Sequence, residues 1–402
     1  MLKVCMLTYA MPPEHSGAAI QAIRLASQLS SNGVKIFFIT QGNKEENLGN
    51  KNVAGFRVIR IYKETLFWKI IAPFRFFTAL MRELPNFDII HVHGVGYISR
   101  IAVVFGFLFN KKVLLKMTMF GEDDAMAIKN GAHGTVNFAF FSLASHYVAL
   151  THSFLNSCLD AGIPAIKISQ IPNGVDTEKF KTVTDDYKAK LRTKLKIPVD
   201  KKVLVYAGII RPEKGVDFLL DVISLVSSNR GDTVLLLLGP VETWLPAPEK
   251  KTVQDIIDRI NILAGKGLVI YPGKVDNVNE YFQASDIFVS ASIREGLQNV
   301  LIEAMACGLP PVMLEIPEVH KYIVVDGVEG IIINERDPRL FCNNLIRLIA
   351  DTVFAGKMAA AARKKVLDYY SLTKVTAAYL KLYQGILSAN AGPSASRSNY
   401  YA

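Results

Sequence analysis

The hydrophobic positions near the start of the chain alternate between two periods. Residues 4–7 form a short continuous apolar run, which predicts a buried strand. Residues 19–31 place apolar side chains at nearly helical spacing, and Asn32-Gly33 is a stop signal for that helix. Residues 34–40 are again mostly apolar and predict the next strand. A strand–helix–strand unit of this length implies parallel strands joined by a right-handed crossover.

The same alternation recurs in both halves of the chain. Short apolar runs predict further strands at residues 88–92, 113–116, 147–150, 203–206, 233–238, 268–271, 287–289 and 311–314. Amphipathic stretches separate these runs, which favours parallel sheets covered by helices on both faces. The pattern therefore predicts an α/β protein with two parallel sheets.

The domain boundary is expected at or just before a polar stretch, residues 182–202, which is rich in lysine and aspartate. A chain of 402 residues is longer than one hydrophobic core usually serves, so two domains are expected. We predict a first domain over residues 1–180 and a second over residues 181–370. Residues 388–402 are rich in Ser, Ala, Gly and Asn and are predicted to form a disordered tail.

The chain is basic, with a formal net charge of +10 and a sequence pI of about 9.2. Such a charge favours nucleic acid, anionic lipid or a phosphorylated substrate as the partner. The sequence contains no arginine-rich helix, RNP motif or zinc finger, so no nucleic-acid partner is expected.

Cysteine usage and hydropathy favour a cytoplasmic protein. Cys5, Cys158, Cys307 and Cys342 are scattered without CxxC spacing, which predicts buried thiols in a reducing compartment and no metal site. The longest uncharged apolar run, residues 101–109, is far shorter than the roughly 20 residues of a membrane-spanning helix. Contact with a membrane, if it occurs, is expected to be peripheral and at the inner face.

The strongest candidate site is the segment 294–310, which follows the predicted strand at residues 287–289. Glu295 and Glu303 stand eight positions apart, and Gly296 lies in a turn before a predicted helix. Strand C-termini and the helix N-termini after them are where α/β sheets bind phosphorylated ligands. We therefore expect a diphosphate to be bound by the backbone N–H groups of Gly296, Leu297, Gln298 and Asn299. Glu303 would accept hydrogen bonds from ribose hydroxyls, and Glu295 would face a sugar.

In an alternative interpretation, Glu295 balances the helix dipole and Glu303 is a solvated helix residue. The glycine, the loop position and the preceding parallel strand favour the site. A second candidate is the loop after the strand at residues 203–206, which contains Arg211 and Lys214. These cations would hold a leaving nucleoside diphosphate and stabilise its charge, although solvated basic loops are also common.

Together these segments resemble the retaining glycosyltransferases of family 4, which have the GT-B fold of two facing Rossmann-like domains. The resemblance covers most of the chain, and its most specific parts are residues 172–176, with the sequence Pro-Asn-Gly-Val-Asp, and residues 295–308. Supporting segments lie at residues 13–17, 88–94, 214–215, 272–275 and 316–319. The resemblance implies an acceptor-binding first domain, a nucleotide-sugar-binding second domain and a helix over residues 371–387 that packs back on the first domain.

The resemblance also assigns roles to single residues. Lys214 would hold the donor diphosphate, Glu295 would lie by the donor sugar, and Glu303 would bind the ribose. Gly17 in the first loop would approach the diphosphate from the other domain. The backbone near Val275 would hold the base.

Two positions depart from the family pattern. Ile209 stands where an arginine is common, and Phe120 stands where a histidine is frequent. Two alternatives stay open here: Arg211 supplies the cation in place of the missing arginine, or that contact is absent. Asp123 matches a frequent acidic position of the family near the donor or acceptor sugar. The expected catalytic residues are therefore Lys214, Glu295 and Asp123.

Two pairs of residues in the first half are of metal-ligating type. His91 and His93 alternate at the end of a predicted strand, where packing or substrate contact is favoured over metal binding. Asp123 and Asp124 are similar to the metal-binding acidic pair of GT-A enzymes. Because a basic loop already offers charge for the leaving group, no obligatory metal and no cofactor are expected.

Residues 66–84 mix aromatic side chains with Lys69, Arg75 and Arg82, a pattern suited to an anionic bilayer surface. Pro73 interrupts the pattern, and aromatic residues more often serve a core. Contact with an anionic membrane surface and packing in the core therefore both stay open.

The expected function is retaining transfer of a hexose from a UDP- or GDP-sugar to a glycan, lipid-linked or small-molecule acceptor, in glycan or glycolipid biosynthesis. Two other classes stay open, namely another sugar-nucleotide enzyme on the same scaffold, such as an epimerase, and a non-catalytic binding module. Ile209 and Phe120 favour the binding module, whereas the intact lysine and glutamates favour an enzyme. The sequence does not specify the donor, the acceptor or the oligomeric state.

Overall fold

The computed structural model describes residues 1–12, 14, 16–42, 52–62, 68–241 and 247–388. The chain divides into two compact units. Unit 1 comprises Met1–Gly174 and the chain from Leu372 onward, and unit 2 comprises Val175–Ser371. The first division thus lies a few residues before the boundary expected at 180/181. Except for Ser388, the predicted tail lies outside the described residues.

Within the described residues, unit 1 contains an eight-stranded sheet. Its strands are β1 (Lys3–Thr8), β2 (Lys35–Gly42), β3 (Asn52–Val53), β4 (Phe56–Tyr62), β5 (Ile89–His93), β6 (Lys112–Lys116), β7 (His146–Ala149) and β8 (Ile168–Gln170). They lie in the order β3-β4-β2-β1-β5-β6-β7-β8, and all neighbours are parallel except β3 and β4. The chain changes direction across the sheet between β1 and β5, which opens a crevice at their carboxyl ends.

The helices of unit 1 that precede Gly174 are α1 (Gly17–Ser31), α2 (Trp68–Arg82), α3 (Tyr97–Leu108), α4 (Ala125–Asn130), α5 (Gly134–Ser142) and α6 (His152–Asp160). Helix α1 begins after Ser16, whose hydroxyl accepts a hydrogen bond from the Ala19 N–H. All five residues of β5 are buried, as expected for a central strand covered on both faces.

Unit 2 contains a six-stranded, all-parallel sheet within the described residues. Its elements are α7 (Asp185–Leu195), β9 (Lys202–Ala207), α8 (Val216–Asn229), β10 (Thr233–Leu238), α9 (Ala247–Gly265), β11 (Val269–Gly273), α10 (Val278–Gln283), β12 (Ile287–Ser290), α11 (Asn299–Ala306), β13 (Pro311–Leu314), β14 (Ile331–Ile333), α12 (Pro338–Ala350) and α13 (Thr352–Lys365). The order β11-β10-β9-β12-β13-β14 changes direction at β9. The carboxyl ends of β9 and β12 therefore border the crevice of this sheet.

The last described helix, α14 (Leu372–Ser388), belongs to unit 1 and packs against α1. Its residues Val375, Tyr379, Tyr383 and Ile386 share one buried cluster with the apolar face of α1. The spacing of these residues, at every third or fourth position, is that of one helix face.

These two sheets confirm the predicted α/β fold with parallel sheets and intervening helices. Parallel pairing follows from the long crossover connections, because hairpin connections would have made neighbouring strands antiparallel. In the described part of the chain, every helix is too short or too polar to cross a membrane.

Candidate functional site

Two loops at the carboxyl edge of the unit 2 sheet are in direct backbone contact. Residues 208–215 follow β9, and residues 291–298 follow the neighbouring strand β12. The Ile293 N–H donates to the Glu213 carbonyl at 2.9 Å. Gly215 has a φ of +67°, and a β-carbon there would lie 2.2 Å from the Ala291 carbonyl oxygen. Only glycine fits this position, so the two loops are fixed against each other.

The contact between the loops brings together two residues that the sequence assigned to the site. The Lys214 ammonium lies 2.7 Å from the Glu295 carboxylate, and both side chains are mostly buried. The neighbouring Arg211 guanidinium lies 2.8 Å from the Glu213 carboxylate. The two cations predicted to hold a diphosphate therefore each face a carboxylate. The sequence analysis missed Glu213, whose only signal was its place between the two cations.

The buried ring of Tyr206 lies beneath this pair of loops. Its hydroxyl donates to the Ile209 carbonyl at 3.2 Å. Burial raises the pKa of Tyr206 above its ordinary value, and the negative charges of Glu295 and Glu213 raise it further. Ile209, which replaces the common arginine, thus contributes its backbone to the loop. Next to it, a β-carbon on Gly239 would lie 2.0 Å from the Gly208 carbonyl oxygen.

The segment before α11 combines a fixed side chain with free backbone donors. The Gln298 amide nitrogen donates to the Ser290 hydroxyl at 2.9 Å, which holds the segment against the end of β12. Among the described residues, the N–H groups of Gly296, Leu297 and Gln298 have no hydrogen-bond acceptor. Asn299 is the first residue of α11. Free N–H groups at a helix N-terminus form a favourable anion site.

Glu303 lies in the middle of α11 and is only 5% exposed. This burial contradicts the interpretation of Glu303 as a solvated helix residue, because a carboxylate is seldom buried without a specific contact. Val275 follows β11 at the same edge of the sheet and is half-buried. The Gly239 N–H donates to the Gly273 carbonyl at 2.9 Å, which links the loop that carries Val275 to the loop after β10.

The remaining predicted donor residue, Gly17, lies in unit 1 as the exposed first residue of α1. Pro13 and His15 of the same loop lie outside the described residues. Phe120, which stands where the family often has a histidine, packs edge-to-face on Phe154 with ring centroids 5.5 Å apart. In this structure Phe120 therefore has a packing role.

Asp123 joins two loops of unit 1. Its carboxylate accepts hydrogen bonds from the Val95 N–H at 3.1 Å, the Met119 N–H at 2.7 Å and both the N–H and the hydroxyl of Thr118, each at 2.8 Å. Burial raises the pKa of Asp123, while these donors oppose the rise. These contacts make Asp123 a positioning residue for the loops after β5 and β6. Its expected contact with a sugar stays a prediction.

Among the residues of metal-ligating type in unit 1, the two aspartates and His91 have hydrogen-bond partners, whereas both ring nitrogens of the buried His93 have none within the described part of the chain. The Asp124 carboxylate caps α4 by accepting the Met126 and Ala127 N–H groups at 3.2 and 3.1 Å. His91 and His93 are buried, and His91 Nδ1 lies 2.8 Å from the Tyr383 hydroxyl. Burial lowers the pKa of both histidines well below the ordinary value. Across the described residues, no group of three or more His, Cys, Asp and Glu side chains is arranged to hold a metal ion.

One buried cation in unit 1 was missed by the sequence analysis. Lys116, the last residue of β6, donates to the Asn173 side-chain oxygen at 2.7 Å and lies over the Tyr379 ring. Burial lowers the pKa of Lys116 to about 7. Its position at the end of an apolar strand was the only sequence signal, and that position is equally typical of a solvated lysine.

The fold and this site define a class, the GT-B glycosyltransferases. The model described as "Glycosyl transferases group 1" matches residues 201–351, and the model "Glycosyltransferase Family 4" matches residues 15–179. The chain belongs to the group 1, family 4 glycosyltransferases. It is therefore a transferase of sugars, as the sequence predicted.

Relatives of known sequence and structure agree with this assignment. N-acetyl-alpha-D-glucosaminyl L-malate synthase of Bacillus anthracis is 23% identical over 96% of this chain and 97% of its own length. Lipopolysaccharide 1,2-N-acetylglucosaminetransferase of Salmonella typhimurium is 24% identical over 57% of this chain and 59% of its own. The crystal structure of Anabaena HepE in complex with UDP and glucose has a TM-score of 0.77 at 17% identity and covers 96% of this chain and 100% of its own.

Proposed function

We propose that the protein transfers a hexose from a nucleoside diphosphate sugar, with retention of anomeric configuration and without an obligatory metal. The observation that carries the proposal is the Lys214–Glu295 contact of 2.7 Å at the carboxyl edge of the unit 2 sheet. Free N–H groups at residues 296–298 and the buried Glu303 lie in the adjoining segment. This arrangement offers a cation and backbone donors to a diphosphate and carboxylates to hydroxyl groups.

The choice of donor rests on the solved relatives. Anabaena HepE has been crystallised with UDP and glucose, which supports a uridine nucleotide as the first donor to test. A GDP-sugar is the second. The acceptor classes are suggested by the named relatives, one of which is an N-acetyl-alpha-D-glucosaminyl L-malate synthase and another a lipopolysaccharide N-acetylglucosaminetransferase. A small-molecule, glycan or lipid-linked acceptor, bound by unit 1, is therefore proposed for this chain.

The proposed chemistry is attack on the face that the leaving group occupies. The bond from C1 to the diphosphate breaks, the acceptor oxygen bonds to C1 on the same face, and the acceptor proton passes to a diphosphate oxygen. Lys214 would stabilise the negative charge that develops on the leaving diphosphate. Glu295 would hold sugar hydroxyls and orient the ring.

A donor panel tests the proposal. The purified protein is incubated with UDP-glucose, UDP-N-acetylglucosamine, GDP-mannose and ADP-glucose, and release of nucleoside diphosphate is measured with and without EDTA. We expect release from one of these donors that persists in EDTA, and a product whose NMR spectrum shows the donor's anomeric configuration. Loss of activity in EDTA with recovery in magnesium would contradict the metal-independent mechanism. An inverted product would contradict retention, and binding without turnover would favour the non-catalytic module.

We also propose that unit 1 attaches peripherally to an anionic membrane surface on its cytoplasmic side. Helices α2 and α3 contain cations and no acidic residue. They expose large apolar side chains, with Phe74 at 71%, Phe107 at 74%, Ile70 at 66% and Leu108 at 59%. Helix α2 runs through Pro73, and Phe77 packs on Phe105 of α3 with ring centroids 5.3 Å apart, so both helices are held together. Exposed apolar side chains on two neighbouring helices that contain cations and no acidic residue favour an anionic bilayer.

Vesicle flotation tests the attachment. The double variant Phe74→Ser, Phe107→Ser should bind phosphatidylglycerol vesicles about tenfold or more weakly than the wild type, because two exposed aromatic side chains that would insert into the bilayer are lost. Val353→Ser removes a similarly exposed apolar side chain, 67% exposed, from unit 2 and should leave binding unchanged. Equal binding of the wild type and the double variant would contradict this surface. The four buried free thiols support a reducing, cytoplasmic location.

A further inference from the structure

The cations of the candidate diphosphate site are already neutralised by carboxylates. Lys214 pairs with Glu295 at 2.7 Å, and Arg211 pairs with Glu213 at 2.8 Å. The two positive charges of this loop are thus balanced by two negative ones. A diphosphate that approached this arrangement unchanged would meet no net positive charge from these four side chains.

The Lys214–Glu295 pair is held in place by backbone packing. The Ile293 N–H donates to the Glu213 carbonyl at 2.9 Å, and Gly215 lies against the Ala291 carbonyl. Because these contacts fix the loops after β9 and β12, the backbone of the protein itself holds the two side chains close together. The Glu295 carboxylate is joined to its loop through rotatable side-chain bonds, so its displacement from Lys214 requires no change in the backbone of either loop.

We propose that Glu295 is an exchangeable counter-ion for Lys214. Before donor binding, its carboxylate occupies the position on the ammonium that a diphosphate oxygen takes in the complex. Donor binding displaces Glu295 from Lys214 and turns it toward the sugar hydroxyls. The inference rests on the proposed nucleotide-sugar function and assigns Glu295 a positioning role in choosing between donor and product.

The exchange makes the sugar part of the donor matter for affinity. A nucleoside diphosphate alone takes Lys214 from Glu295 and offers the carboxylate nothing in return, which leaves a mostly buried charge without its partner. A nucleotide sugar supplies hydroxyl donors to the displaced carboxylate. The complete donor is therefore favoured over the diphosphate product, and re-formation of the ion pair assists product release.

Calorimetry on one residue pair tests the exchange. UDP and UDP-glucose are titrated into the wild type, Glu295→Gln, Lys214→Met and the double variant. If the donor panel selects another base, GDP with its nucleotide sugar or ADP with its nucleotide sugar is used instead. We expect Glu295→Gln to bind the diphosphate about fivefold more tightly, because a neutral amide competes poorly for the ammonium. The nucleotide sugar should gain less. In the Lys214→Met background, the gain from Glu295→Gln should disappear.

The matched control is Glu329→Gln, which removes the same charge from a mostly buried ion pair with Lys365, just before β14 and at the opposite edge of the sheet. Its affinity for the diphosphate should equal that of the wild type. An unchanged or weaker affinity of Glu295→Gln, or an equal gain in Glu329→Gln, would overturn the exchange while leaving the proposed function intact. Failure of every variant, and of the wild type, to bind any of the three nucleoside diphosphates would instead overturn the proposed function, and the exchange with it.

Discussion

The Lys214 ammonium lies 2.7 Å from the Glu295 carboxylate although the two residues are 81 positions apart in the chain. They meet because β9 and β12 are neighbours in the sheet, so the loops at the carboxyl ends of these strands share one edge. The pair connects the basic loop with the two-glutamate segment, which the sequence could only present as separate candidates.

Replacing Lys214 by alanine should weaken binding of the cognate nucleoside diphosphate by about 1.5–3 kcal/mol, the usual size of a charge-assisted hydrogen bond. Calorimetry measures the change. Lys194→Ala, which removes an exposed lysine paired with Glu280, should leave the affinity within error of the wild type. Equal affinities of the wild type and Lys214→Ala would remove this lysine from the diphosphate site.

Substitution of Gly215 by alanine should destabilise the protein far more than the same change at Gly267. Both glycines have positive φ values, +67° and +71°, and alanine costs about 1–2 kcal/mol in that region. A β-carbon at Gly267 meets nothing within 4 Å, whereas at Gly215 it would lie 2.2 Å from the Ala291 carbonyl oxygen. The total cost at Gly215 should reach about 3 kcal/mol or more, since overpacking is added to the conformational cost.

The two glycine variants should differ both in the free energy of unfolding in urea and in their affinity for the diphosphate. Gly215→Ala should also weaken binding, because the loops that hold the Lys214–Glu295 pair would move apart. Gly267→Ala should bind normally. Similar unfolding free energies for the two variants would argue against close packing of these loops.

Lys116 should make stability depend on pH between neutral and alkaline conditions. The pKa of Lys116 is about 7 in the fold, against 10.5 for an ordinary lysine. Between pH 7 and pH 10.5 the side chain of Lys116 carries a proton in the unfolded chain but not in the folded one. The free energy of unfolding therefore rises with pH in this range. The stability advantage of Lys116→Met over the wild type should therefore be greatest below pH 7 and fall by about 1 kcal/mol for each pH unit above 7.

Urea unfolding at pH 7, 8 and 9 measures this dependence. The titratable groups around Lys116 do not interfere in that range, because burial lowers the pKa of His91 and His93 and raises that of Tyr379. The control is Lys35→Met, which replaces an exposed lysine of β2 and should give a curve parallel to the wild type. A parallel curve for Lys116→Met would show that the lysine is not buried as described.

Replacing Asp123 by asparagine should cost about 2 kcal/mol of stability. Both oxygens of the carboxylate act as hydrogen-bond acceptors. The donors are the backbone N–H groups of Val95, Thr118 and Met119 and the Thr118 hydroxyl. An amide would offer one oxygen and turn its NH2 group against the remaining donors, which leaves buried donors unsatisfied. Asp160→Asn, at the exposed end of α6, should change stability by about 0.5 kcal/mol or less. Equal unfolding midpoints of the two variants would contradict the loop-positioning role.

The strands and helices could be predicted from the sequence because the spacing of hydrophobic residues that marks each element is set within a few neighbouring positions. Continuous apolar runs such as residues 233–238 became fully buried parallel strands, and Asn32-Gly33 ended α1 where expected. Gly296 and the two glutamates also identified the segment before α11 without knowledge of the fold. The position of a loop after a strand was enough to predict which edge of the sheet it occupies.

Only the tertiary structure decided which charges meet and which are buried. The sequence matched Asp123 only to an acidic position of the family, and the structure shows that its carboxylate accepts hydrogen bonds from two loops of unit 1. Lys116 resembled any surface lysine in the sequence and proved to be buried beside Asn173 and Tyr379. Charge pairing and burial depend on neighbours that lie up to hundreds of positions away in the chain, whereas strand and helix patterns depend on neighbours a few positions away. The sequence alone therefore determined the elements and the edge that carries the site, and the fold determined that Glu295 lies against Lys214.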